Sequence, residues 1–328
     1  MSIFDGFRGA DYWIKRGKEA ANNYNFEAAN ACFKRVLQKE PENLSALFKS
    51  ASCHIENNQL GQALELIDKC IKLDPANVLY KQKKGKVLEA QENYVDAIKW
   101  YETNIAEKPE ILQVWWGHKA LCLKKSGKQA EAVEWLNECL DEDPNFDFGY
   151  YLIANFLHDE EKYDEAVSFY ERAVSLHGEA EGPSLLNMAD CFVNLDKDNK
   201  AISCLDIVID KNPEHPAAWR EKAFMLEKLG HSEEAITCFD KLISLTPKSA
   251  SSGPMGIGWY LCHKGDCLQK LGLLSQAHDC FIEASRIDFI LVQAHIASKS
   301  EAELSEIGFA QTPITNLSEN QFRYLTGR

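Results

Sequence analysis

Prolines recur at a fixed interval along this chain, and no other feature restricts its fold as much. Pro41, Pro75, Pro109 and Pro144 are separated by 34, 34 and 35 residues, and Pro213 and Pro247 again by 34. Counting back from these prolines puts a small residue at one recurring place: Ala29, Ala63, Ala97, Ala132, Ala201 and Ala235. A period of this length describes one supersecondary unit copied along the chain, each copy burying its apolar face only against its neighbours.

The stretch from Pro216 to Lys248 displays the parts of the unit. Trp219, Ala223 and Leu226 share one helical stripe, Gly230 interrupts it, and a second stripe runs through Ala235, Ile236, Phe239, Leu242 and Ile243 to Pro247. This is a helix, a tight turn and a second helix. Its Trp, Gly, Ala, Phe and Pro spacing resembles the tetratricopeptide repeat. The resemblance implies an all-α, right-handed solenoid, a superhelix of helix-turn-helix units. The register places eight repeats at 10–43, 44–77, 78–111, 113–146, 147–180, 182–215, 216–249 and 258–289, expected as one array. Residues 1–9 lead in, 250–257 form a loop insertion, 290–307 a capping helix and 308–328 a C-terminal tail.

Composition narrows the setting. The N-terminus, MSIFDGFRGADYW, has no basic start followed by an apolar run, and no stretch approaches the length of a membrane span. Neither export nor membrane insertion is expected. The eleven cysteines then point to a reducing compartment, and a cytoplasmic location is expected. In the repeat frame Cys53, Cys122, Cys191 and Cys267 share position 10. Cys32, Cys204, Cys238 and Cys280 share position 23, and Cys70 and Cys139 share position 27. Such recurrence is how a small packing residue is used. Trp13, Trp116 and Trp219, at position 4, are expected in the core.

No CxxC pair or His-x-x-x-His occurs, and Cys262, His263 and Cys267 are the nearest approach to a zinc site. The glycines of SSGPMGIG lack the lysine and hydroxyl residue of a phosphate loop. No cofactor, metal or catalytic constellation is expected, and the chain reads as non-enzymatic.

Positions 2, 5, 6 and 9 of each first helix have the spacing of one face, distinct from the packing stripe. The resemblance implies that this face lines a concave groove that contacts ligands. Position 6 carries Lys15, Lys49, Lys83, His118, Leu152, Asn187, Glu221 and His263 in turn. Position 9 carries Lys18, Ser52, Lys86, Leu121, Asn155, Asp190, Phe224 and Asp266. Lys15, Lys49 and Lys83, with Lys18 and Lys86, are expected to form a ladder. Charge supports it: residues 10–111 hold 15 Lys and Arg against 15 Asp and Glu, so the net charge of -14 falls after them. A locally basic face in an acidic protein selects an acidic peptide over nucleic acid.

The family also binds acidic chaperone tails with a carboxylate clamp. Asn155 and Asn187 stand at its two asparagine places, whereas Tyr151 replaces its first lysine and Ala217 and Glu221 its last two basic residues. The two asparagines are also expected to hold a peptide backbone. The chain therefore reads as a protein-interaction scaffold for a partner with an acidic segment, its candidate surface being Lys15, Lys18, Lys49, Lys83, Lys86, His118, Tyr151, Asn155 and Asn187. Head-to-tail self-assembly into a homo-oligomer is the other reading left open.

Overall fold

The computed structural model describes residues 9–107, 112–247, 255–288, 290, 292, 294 and 295. Among them the regular elements are sixteen α-helices. The chain divides into two compact units, Met1–Gly149 and Tyr150–Arg328. Unit 1 is built from helix pairs: α1 (Ala10–Asn22) with α2 (Phe26–Lys39), α3 (Leu44–Glu56) with α4 (Leu60–Leu73), α5 (Val78–Ala90) with α6 (Tyr94–Ala106), and α7 (Leu112–Lys125) with α8 (Gln129–Glu142). The division falls within α9 (Asp147–Asp159), which continues to α10 (Tyr163–Ser175). Unit 2 goes on with α11 (Glu181–Asn194) and α12 (Asp198–Lys211), α13 (Pro216–Lys228) and α14 (Ser232–Leu245), and α15 (Ile257–Lys270) and α16 (Leu274–Ile287).

Each pair reverses through one residue with positive φ, always at repeat position 15. In unit 1 these are Tyr24 (58°), Asn58 (55°), Glu92 (57°) and Gly127 (82°); in unit 2, Glu161 (59°), Asp196 (54°), Gly230 (80°) and Gly272 (74°). The next amide then bonds back into the first helix, as Asn25 N does to Ala20 O at 2.9 Å. That bond satisfies a carbonyl the helix end leaves open. Helix starts are capped as the sequence allows: Asn25 Oδ1 accepts from Ala28 N at 3.1 Å and Asn43 Oδ1 from Ala46 N at 3.0 Å.

The core follows the same register. Phe33, Ile67, Tyr101 and Leu136 in unit 1, and Tyr170, Leu205, Phe239 and Phe281 in unit 2, occupy position 24 with no more than 1% exposure. Each such side chain contributes roughly 1.5–3 kcal/mol by burial. The first helix makes room for the larger rings. A Cβ on Gly17 would stand 2.5 Å from Phe33, and one on Gly265 2.8 Å from Phe281. Across α2 and α3 a buried polar chain adds direction: Ser50 donates to Asn30 Oδ1, Asn30 Nδ2 donates to His54 Nε2 at 2.8 Å, and His54 Nδ1 donates to Gln59 Oε1 at 2.6 Å.

All eleven cysteines are buried outside any disulfide, in keeping with a packing role. Burial pushes the thiols of Cys70 and Cys238 up to about 11 and those of Cys122 and Cys191 up to about 12, so they stay protonated and unreactive near neutral pH. Trp13 and Trp116 are core, as expected. Trp219 is not. It is only half-buried, because its indole nitrogen turns outward to donate to Pro213 O at 2.9 Å.

Beyond α16, Val292 is fully buried against α15 and α16. The expected loop at 250–257 is described only from Met255, the cap at 290–307 only at residues 290, 292, 294 and 295, and the tail at 308–328 lies outside the described residues. No helix among the described residues is long and apolar enough to cross a membrane.

Candidate binding surface

In unit 1 the first helices α1, α3 and α5 carry the five candidate lysines. Lys15, Lys18 and Lys86 are exposed, while Lys49 and Lys83 are half-buried. Burial pulls the Lys49 ammonium below its ordinary pKa, and the charge of Lys18 beside it pulls the same way. The structure thus brings Lys18 and Lys49 together across two repeats.

Lysines elsewhere on these helices behave differently. At position 7, Lys84 reaches Asp68 at 2.8 Å and Lys119 reaches Glu102 at 3.0 Å. In unit 2 Lys264 likewise reaches Asp240 at 2.6 Å, and Lys222 pairs with Asp206 at 2.5 Å. Each of these acids sits at position 25 of the preceding repeat. Positions 6 and 9 face away from that row of acids. Among the described residues, Lys15, Lys18, Lys49, Lys83 and Lys86 make no ion pair.

His118, also at position 6, is committed to its own unit. Its Nδ1 lies 2.9 Å from Glu89 Oε1, its ring stacks on Tyr101 at 5.4 Å, and the Tyr101 hydroxyl donates to the same Glu89 oxygen at 2.5 Å. Burial works to raise the Glu89 carboxyl, but His118 and Tyr101 outweigh it and hold the carboxyl below the usual range. His118 therefore closes the row of lysines and does not extend it. The sequence reading missed Glu89 and Tyr101, since position 12 lies one turn beyond the face it considered.

In unit 2, Tyr151 packs against Tyr170 with ring centroids 6.2 Å apart. Asn155 Oδ1 accepts from the Tyr170 hydroxyl at 2.6 Å and from Asn187 Nδ2 at 2.8 Å. The two asparagines meet, and part of their bonding capacity is spent on each other and on the tyrosine. What remains for a ligand is Asn155 Nδ2, Asn187 Oδ1 and the second hydrogen of Asn187 Nδ2. Near this face three histidines pair with acids: His158 Nε2 with Asp190 Oδ2 at 2.7 Å, His263 Nδ1 with Glu227 Oε2 at 2.9 Å, and His295 Nε2 with Asp266 Oδ2 at 2.8 Å.

Unit 1 also has a hollow of about 600 Å³ among α6, α7 and α8, lined by Val95, Ile98 and Trp135. Lys119 lies 3.7 Å over the Trp135 ring there. Val95, Ile98 and Trp135 belong to second helices, which carry none of the candidate residues named from the sequence.

The family model for anaphase-promoting complex, cyclosome, subunit 3 matches residues 22–104, and models of the tetratricopeptide repeat match 116–146, 149–177 and 188–250. The chain is a tetratricopeptide repeat protein. It is 22% identical over 217 residues to a repeat-containing protein of Methanocaldococcus jannaschii, covering 66% of this chain and 35% of that one. It is 24% identical over 156 residues to the Hsp70-Hsp90 organizing protein of Triticum aestivum, covering 47% and 25%. The chain therefore spans about a third or less of the length of these curated relatives. Among solved structures, the C-terminal part of a tetratricopeptide repeat-containing protein from Cytophaga hutchinsonii superposes with a TM-score of 0.47 at 12% identity, covering 90% of this chain and 99% of that one.

Proposed function

We propose that the first-helix face of unit 1 holds an acidic segment of a partner protein through Lys15, Lys18, Lys49, Lys83 and Lys86. Tetratricopeptide repeat proteins serve as protein-protein interaction scaffolds, and this reading gives the scaffold its ligand chemistry. The observation that carries it is the contrast between two rows of lysines. Those at position 7 each have a carboxylate, and the five at positions 6 and 9 have none among the described residues.

A half-buried ammonium next to another cation is an unfavourable arrangement for the free protein, and Lys49 is in that situation. An incoming carboxylate relieves it. Each exposed lysine-carboxylate pair adds only about 0.2–1 kcal/mol, so affinity has to come from several pairs made together along an extended peptide. Such a ligand associates quickly and loses affinity with salt. The wheat relative is named for chaperones, but Tyr151, Ala217 and Glu221 stand where the carboxylate clamp has basic residues. The reading therefore rests on unit 1 and not on the asparagines of unit 2.

The test uses a labelled peptide of alternating Asp and Glu, read by fluorescence anisotropy at two salt concentrations. The triple variant Lys15→Glu, Lys49→Glu, Lys83→Glu is expected to weaken binding by more than about 100-fold. A charge-matched control, Lys128→Glu, Lys197→Glu, Lys211→Glu, is expected to change it little. Equal losses in both would reduce the effect to net charge and end the proposal. Sedimentation of the same samples separates peptide binding from self-association.

A further inference from the structure

Unit 2 contains a cluster that peptide binding does not use. Glu227 on α13 and His263 and Asp266 on α15 each offer one ligand atom, and the three atoms lie within 4.8 Å of one another. His295 holds Asp266 from the other side through its Nε2, 2.8 Å from Oδ2. None of the four side chains is more than 18% exposed. Trp259 and Phe224 wall the site, each ring centroid 4.8 Å from that of His263. His263 Nε2 is buried with no hydrogen-bond partner among the described residues, which a polar atom rarely tolerates.

We propose that Glu227, His263 and Asp266 bind a divalent transition-metal ion of the zinc class, with His295 fixing Asp266 from outside the ligand set. The donor set selects the metal. An imidazole between two carboxylates suits zinc and its neighbours, whereas calcium and magnesium favour oxygen alone. Geometry agrees, since ligand atoms about 2.1 Å from a tetrahedral ion stand about 3.4 Å apart, a separation small side-chain rotations can reach here. Charge agrees as well: two largely buried carboxylates side by side call for a cation. The histidine bound to Asp266 supplies the outer support that metal-ligating carboxylates usually have.

The same protein provides the comparison. Glu89 and His118 occupy the positions in repeats three and four that Glu227 and His263 occupy in repeats seven and eight. There Tyr101 donates to the glutamate, and Leu121 stands at the aspartate's place. In unit 2 Phe239 replaces Tyr101, which removes the competing hydroxyl, and Asp266 replaces Leu121, which adds a ligand. Both exchanges move the couple toward metal binding. Sequence alone does not assemble this set, because only His263 and Asp266 are close in the chain, and Glu227 joins them from α13 only once the two helices pack. Cys262 and Cys267, which flank His263 and prompted the metal question, are fully buried in packing and lie outside the cluster.

The full chain, reduced and stripped with chelator, is titrated with Zn²⁺ or Co²⁺ alone. One ion per chain is expected, with cobalt showing ligand-field bands and no thiolate charge transfer. His263→Ala is expected to abolish binding. Asp266→Leu, which copies the residue tolerated at the same place in repeat four, is expected to weaken it at least about tenfold, and His295→Gln about tenfold. Zinc raises the melting temperature of the wild type and not of folded His263→Ala. Absence of a stoichiometric ion, a thiolate band, or unchanged affinity in Asp266→Leu overturns the site.

Discussion

The couples Glu89–His118 in unit 1 and Glu227–His263 in unit 2 have the same backbone register and opposite chemical character. In the first, the glutamate takes a hydroxyl from Tyr101, and the histidine stacks on that ring at 5.4 Å. In the second, Phe239 stacks on the histidine at 6.0 Å but brings no hydroxyl, and a second carboxylate approaches. A repeat scaffold fixes where side chains meet. What surrounds them there differs by the Tyr101 hydroxyl that Phe239 lacks and by the Asp266 carboxylate that stands in place of Leu121, so copies of one unit differ in chemistry at the same register.

The most damaging way to break this comparison is to make unit 1 resemble unit 2. Tyr101→Phe removes the donor from Glu89 and is expected to cost about 1–3 kcal/mol at neutral pH, measured by urea denaturation. The pH dependence identifies the cause. Glu89 is depressed in the folded state, so its contribution is present above the ordinary carboxylate pKa and is lost as pH falls through the folded value. The gap between Tyr101→Phe and wild type should therefore narrow below about pH 4. A gap of equal size at both pH values would mean that the hydroxyl matters only for packing.

The reverse exchange is milder. Phe239→Tyr offers Glu227 a hydroxyl and is expected to weaken zinc binding about tenfold by calorimetry, with little effect on the melt of the metal-free chain. Combining Tyr101→Phe with Leu121→Asp in unit 1 should install a weaker second site. If neither variant alters stoichiometry or affinity, the hydroxyl is not what separates the two couples.

The period itself was plain in the sequence because prolines and alanines mark it, and Ala29, Ala63, Ala97 and Ala132 are all fully buried. The turn was only partly legible. Gly127, Gly230 and Gly272 announce a positive φ, but Tyr24, Asn58, Glu92, Glu161 and Asp196 adopt the same conformation without advertising it. At Tyr24, Glu92 and Glu161 the helix pairs on either side impose the turn against the residue's own preference, whereas Asn58 and Asp196 accept it more readily. That positions 6 and 9 share one helix face follows from helical period, so the lysines could be named in advance, although not that Lys49 and Lys83 are half-buried. The couples could not, since position 12 of one repeat meets position 6 of the next only once the repeats are stacked. Trp219 shows the other limit: its position is a core position, but the Pro213 carbonyl gives its indole nitrogen an outward partner.

The smallest expected effect tests whether the lysine face is kept for binding. Lys49 is half-buried, its ammonium pKa lowered first by burial and then by Lys18. A lysine depressed in the folded state costs stability below its folded pKa, and that cost fades as pH rises toward the unfolded value of about 10.4. Lys49→Met keeps the aliphatic stem and removes the charge. It is expected to raise the melting temperature by about 1 °C near neutral pH and to lose that advantage near pH 10, while weakening the acidic peptide several-fold. Lys34→Met, at an exposed position on α2, should change neither quantity. Position 6 of repeat six carries Asn187, which is neutral and already bonded to Asn155, so Asn187→Leu should not reproduce the gain. A stabilised Lys49→Met that binds the peptide as well as wild type would mean that the charge serves no ligand on this face. A stabilised variant that binds it poorly would mean that unit 1 keeps an unfavourable charge in the free protein that only a partner neutralises.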